Sequence, residues 1–130
     1  MTADVRSAIE ELRAGFPGHE VLVTEEPQGG AHIIVDNLDI GPAFATAKSW
    51  VGFTLGFQHP LADVYPHYLR ADLAYADGRP VQSPLNAGHT MPGFDRPAVM
   101  LSRRSNRWNP ARDTAHLKLL RILDFLRSSA

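Results

Sequence analysis

Covalent catalysis needs a thiol, a hydroxyl beside a base, or a metal. This chain of 130 residues contains no cysteine, which excludes thiolate nucleophiles, thiolate metal sites and disulfides. The remaining hydroxyl candidates are Ser102 and Ser105 in "MLSRRSNRW". His89 in "GHTMPG" is a candidate general base, and Asn86 or Asn106 could donate to an oxyanion. An acyl-serine route requires the serine and the base within hydrogen-bond reach, which spacing alone does not supply. The plainer reading of the same residues is a polar loop.

Metal chemistry has less support. The six histidines, His19, His32, His59, His67, His89 and His116, form no His-x-x-x-His pair on a helix and no HExxH motif. His59 and His67, with Asp63 between them, are a set that only folding could gather. Neither a metal nor another cofactor is expected.

The densest charge lies at Ser102–Arg107, "SRRSNR", where Arg103, Arg104 and Arg107 fall within six residues. Guanidinium groups in an exposed loop suit an acidic partner surface or a phosphate; the alternative is a solvated loop. The formal net charge of −1 gives no global attraction to nucleic acid or to an anionic membrane. Aromatic residues do not interleave the arginines, so a nucleic-acid stripe is not expected.

These residues must be positioned by recognisable elements. Val5, Ile9 and Leu12 recur at helical spacing, predicting a helix over 3–14, capped by Thr2 or Asp4 and ended by Gly15 and Pro17. "HEVLVTEE" and "AHIIVDNLDI", separated by "PQGG", read as two strands. "SWVGFTLGF" alternates, with Val51, Phe53, Leu55 and Phe57 on one face and Trp50, Gly52, Thr54 and Gly56 on the other. "YLRADLAYA" alternates as well, and completes a four-stranded antiparallel meander with one apolar face. Residues 76–97 hold four prolines and three glycines without a period, predicting a long irregular flap. A helix capped by Asp113 or Thr114 then runs to about Arg127. Leu119, Leu120, Leu123 and Leu126 form its apolar stripe, Leu117 and Ile122 support it, and Lys118, Arg121 and Arg127 line the other side. Trp108 reads as a packing anchor and Trp50 as a helix contact or an exposed site. The result is one α+β domain over 1–130. The N-terminus is unlike a signal peptide and no apolar run approaches a membrane span, so a cytoplasmic protein is expected.

The order of elements and three local motifs resemble the ubiquitin-conjugating enzyme (UBC-like) fold. "VYPHYL" supplies Tyr65 and Pro66 where the family has Tyr-Pro. "GHTMPG" falls where the family has His-Pro-Asn, and "RWNPARDTAHLKLLRILDFL" resembles its Trp-Ser/Asn-Pro corner and following helix. The family cysteine usually lies eight residues before that Trp, which here is Met100. A thioether cannot carry an acyl group, and Thr90, Met91 and Pro92 follow His89 in place of Pro-Asn. The resemblance therefore implies a catalytically inactive, UBC-like binding module of the short prokaryotic type. Its implied partners are a ubiquitin-like protein or a ThiF-type activating enzyme, in a setting shared with JAB-type peptidases. The residues expected to meet the partner are Arg103, Arg104, Arg107, His89 and Tyr65, and Met100 is expected at the mouth of a groove between the flap and the arginine loop. Two alternatives stand beside it: a hydrolase or acyltransferase using Ser102 and His89, and an anion-binding or self-associating scaffold.

Overall fold

The computed structural model describes residues 1–129. Across them the chain forms α1 (Ala3–Gly15), β1 (Val21–Glu25), β2 (Ala31–Asp39), β3 (Lys48–Leu55), β4 (His67–Arg70), β5 (Leu85–Met91), β6 (Arg96–Leu101) and α2 (Ala115–Arg127). All the strands join one antiparallel sheet in the order β1-β2-β3-β4-β6-β5. The class is α+β, with both helices on one face of the sheet.

That face is built by period-two alternation meeting helical period. Ile33, Val35, Val51, Phe53, Leu55, Leu69, Val99 and Leu101 share a single buried cluster with Val5, Ile9 and Leu12 of α1 and Leu119, Ile122, Leu123 and Leu126 of α2. The expected caps form: the Thr2 hydroxyl accepts the Val5 N–H at 3.1 Å, and the Thr114 hydroxyl accepts the Leu117 N–H at 3.0 Å. Each satisfies one N–H that the first helical turn leaves without a partner.

The opposite face carries a smaller cluster of Ile34, Met91 and Ala98, fringed by Leu22, Trp50, Tyr68 and Phe94. The β5–β6 hairpin curls over it. A side chain at Gly52 would place its Cβ 2.7 Å from the Met91 Sδ, so the methionine of the hairpin would have to shift to admit one. At the tip, Gly93 lies against the His32 ring. The Arg96 guanidinium sits 5.0 Å from the Trp50 ring centroid, which places Trp50 on this outer face, away from the helices.

Several expectations change. The sheet has six strands, because the proposed flap contains β5, hydrogen-bonded to β6 from Leu85↔Leu101 to Met91↔Arg96. The fourth strand is short. Beyond Arg70 the chain turns, closed by the Leu73 N–H to the Arg70 carbonyl and by the Arg70 guanidinium on both Asp72 oxygens. Phe57 leaves the apolar face and is exposed, since β3 ends at Leu55 and the Gly56 carbonyl accepts the His59 N–H to start a turn. On α2 the stripe is rotated: Leu120 is 40% exposed and Leu117 39%, while Lys118, expected on the solvent side, is 2% exposed.

Candidate anion-binding cleft

The burial of Lys118 has a specific cause. Its Nζ donates to both oxygens of Asp63, at 2.9 and 3.2 Å, and to the Ser105 hydroxyl at 2.8 Å. Asp63 comes from the β3–β4 connection and Ser105 from the loop after β6. The same carboxylate accepts the Ser105 backbone N–H at 2.7 Å and the Ser105 hydroxyl at 2.9 Å. One aspartate thus ties two loops to α2, and all three ammonium donors are used. Burial alone would raise the Asp63 carboxyl; the bonds from the Ser105 N–H, Lys118 and the Ser105 hydroxyl outweigh it and hold the group below its ordinary range.

A second clamp fixes the far end of the loop. The Trp108 indole N–H donates to the Pro60 carbonyl at 2.7 Å, anchoring the corner as its sequence suggested. Asp113 accepts the Asn109 backbone N–H at 2.7 Å and the Arg121 guanidinium at 2.9 Å, which together lower its pKa, the Asn109 bond most. Thr114, not Asp113, is therefore the helix cap, and Asp113 braces the loop against α2.

The braced loop and α2 enclose an open cleft of about 430 Å³. Arg103, Arg104, Ser105, Asn106 and Arg107 line one side, and Asp113, Lys118, Arg121 and Ile122 the other. Two arginines are held by aromatic rings: Arg103 over Phe125 and Arg104 over Tyr65, each 4.0 Å from the ring centroid. Among the described residues, Arg103, Arg104 and Arg107 make no ion pair, whereas Arg70, Arg79 and Arg121 each pair with an aspartate. Five cationic side chains thus line a cleft whose one anionic wall residue, Asp113, has both oxygens engaged.

Beneath this floor lies His67, fully buried on the helix-facing side of β4, with its ring 5.3 Å from that of Phe53. Neither ring nitrogen has a hydrogen-bond partner among the described residues. Burial, then the nearby Lys118 charge, push its pKa down to about 3, with Asp63 opposing, so the imidazole is neutral at physiological pH.

The structure gathers Arg103, Arg104, Arg107 and Tyr65 and separates the other singled-out residues. His89 lies exposed on β5, opposite Ala98, whereas Ser102 follows β6 and donates its N–H to the Pro84 carbonyl. The two are four strand positions apart along the hairpin, roughly 13 Å at about 3.3 Å per residue, so Ser102 and His89 do not form a nucleophile–base pair. The Asn86 side chain donates to the Pro84 carbonyl at 3.2 Å, while Asn106 lines the cleft. Met100 is not at a groove mouth. Its register partners are Tyr68 and Asn86, and it alternates with the core residues Val99 and Leu101, so its side chain points to the outer face, away from the arginine cleft. His89 is also not the histidine beside Met100, because His67 pairs with Leu101, the next residue. Ser105 has Lys118 and Asp63 at hydrogen-bond distance, but Lys118 donates to the serine rather than accepting from it, and the Asp63 carboxyl, held below its ordinary range, is a weak base.

Sequence reasoning missed Asp63, Lys118, Asp113 and Arg121 as parts of one site. His59 faces a shallow surface hollow with Asp4 and Pro110, apart from buried His67, and no group of three potential metal ligands is found among the described residues. Among those residues no helix is long and apolar enough to cross a membrane. Comparison with protein-family models, with curated proteins and with solved structures finds no match for the chain.

Proposed function

We propose that this chain is a non-catalytic binding module of UBC-like build, which docks an acidic face of a protein partner into the cleft between the Arg103–Arg107 loop and α2. The observation that carries the reading is that Arg103, Arg104 and Arg107 line one cleft with no ion pair among the described residues, on a loop braced by Asp63, Trp108 and Asp113. A surface arginine left without a carboxylate keeps its planar donor fork free for a ligand. A docking role also fits the chemistry around it: Met100 cannot be acylated, Ser102 lies far from His89, and the carboxylate that accepts the Ser105 hydroxyl, Asp63, is held below its ordinary range and is a weak base.

The UBC-like assignment draws on the order of elements. An N-terminal helix, a four-stranded meander, a segment ending at Met100, a polar loop, the Trp108-Asn109-Pro110 corner and a helix follow one another as in that family. The β5–β6 pairing departs from that order, which puts an irregular flap in its place. On this reading the partner is a ubiquitin-like protein or its ThiF-type activating enzyme.

Incubation with a ubiquitin-like protein, its activating enzyme and ATP, followed by native and denaturing mass spectrometry, tests the proposal. A non-covalent complex without a covalent adduct is expected, and Arg104→Gln with Arg107→Gln should abolish the complex. An adduct on Ser102 or Ser105 that resists reducing agents would replace this reading with a serine acyltransferase.

A further inference from the structure

Resting on the reading of the cleft as a docking site, we infer that its ligand is a phosphoryl monoester, carried by a partner's side chain or by a small molecule. The first support is donor count. Arg103, Arg104 and Arg107 offer three guanidinium forks with no carboxylate partner among the described residues. A lone carboxylate has two oxygens and one charge, enough for a single fork. A phosphoryl monoester has three terminal oxygens and about −1.5 to −2 charges near neutral pH, so it can satisfy several forks at once.

Preorganisation is the second support. Arg103 and Arg104 each hold their Cζ 4.0 Å from the centroid of a ring, Phe125 and Tyr65, a contact that limits their freedom without using their N–H donors. Stacked guanidiniums lose little further freedom on binding. The same stacking argues against a nucleobase, because the rings that would carry it are already covered by cations.

Third, the surrounding charges are arranged so as not to compete. Lys118 and Asp63 spend their charges on each other and on Ser105 at the floor. Asp113, the one carboxylate on the wall, accepts from Asn109 and Arg121 with its two oxygens and bonds none of the arginines of the loop. At about 430 Å³ the cleft has room for a phosphoryl group with the atoms that bear it.

The test is an NMR titration of the whole chain with O-phosphoserine, inorganic phosphate, glutamate and a glutamate-rich peptide as probes. Phosphoserine is expected to give saturable shifts at the amides of residues 103–107 and 118–122, with glutamate at least about tenfold weaker. Arg104→Gln and Arg107→Gln should each weaken phosphoserine binding by about tenfold or more. Arg104→Lys should fail to restore it, since an ammonium keeps the charge but has no planar fork. Binding should also fall as pH drops through about 6, where the phosphoryl dianion takes a proton. A phosphoserine peptide that binds more tightly than the free amino acid identifies a partner protein as the source, and equal affinity identifies a small phosphoester. If the glutamate-rich peptide binds at the cleft as well as phosphoserine does, the phosphoryl assignment is overturned while acidic docking stands. If no anion moves the cleft amides, both are overturned. Wild-type affinity in Arg104→Lys would reduce the site to undirected charge and refute the fork geometry.

Discussion

The floor and the rim of the cleft are built from the same kinds of side chain and are opposites in bonding. At the floor, Lys118 is 2% exposed and all its donors are used by Asp63 and Ser105. At the rim, Arg103, Arg104 and Arg107 have no carboxylate partner among the described residues and rest on aromatic rings or in solvent. The difference separates two uses of positive charge. A buried ammonium is tolerable only when its bonds are complete, so it serves the fold. An exposed guanidinium can remain unpaired at small cost, so it is free to serve a ligand.

The comparison can be broken most forcefully from below. Asp63→Ala leaves Lys118 buried without its counter-charge and removes the tie between two loops and α2. A loss of about 3–5 kcal/mol of stability is expected, read from urea denaturation, and the cleft should disorder with it. A loss under about 1 kcal/mol would mean that the floor is as dispensable as the rim.

A subtler effect is expected from His67. The imidazole is neutral in the fold, with a pKa near 3, and ordinary, near 6.5, in the unfolded chain. Between these values the unfolded state binds more protons, so stability is fully present above pH 6.5 and declines as pH falls through that window. About 2 kcal/mol should be lost by pH 5, from 1.5 units at about 1.4 kcal/mol each. His67→Leu should remove this slope. It should also hold or raise stability at pH 7, because no hydrogen bond is lost with the ring. A slope unchanged in the variant would assign the acid sensitivity to other groups.

The smallest effect belongs to the rim. Arg104→Gln should change stability by less than about 0.5 kcal/mol, as surface substitutions generally do, even though it should strongly reduce ligand binding. A larger loss would show that the Tyr65 stack is a structural brace.

Legibility of these features in the sequence follows how local their causes are. The two helices and the first three strands rest on periodicity and neighbouring residues and are readable from the chain, whereas the fourth strand reads on to Ala76 because the turn after Arg70 keeps the alternation of "YLRADLAYA". β5 is not readable, because "LNAGHTM" buries only its two ends, Leu85 and Met91, and an edge strand exposed along its middle shows no alternation. Leu120 reads as core since it adjoins Leu119, but the stripe is fixed by where the sheet lies, which centres it on Ile122 and Leu123. The arginine loop was visible as composition. Its floor was not, since a lysine on a helix reads as solvated until the aspartate that buries it, 55 residues earlier, is placed beside it.

The sheet order also sets a schedule for synthesis. β2, β3 and β4 each pair with the strand made just before them, so the meander can assemble as it leaves the ribosome. β5 is different: its sole neighbour in the sheet is β6, which is made after it, and β6 separates it from β4. During translation β5 must wait as bare chain, and it enters the sheet only once its successor has emerged. The arginine loop follows β6 directly, so the cleft takes shape only after every strand of the sheet has been made.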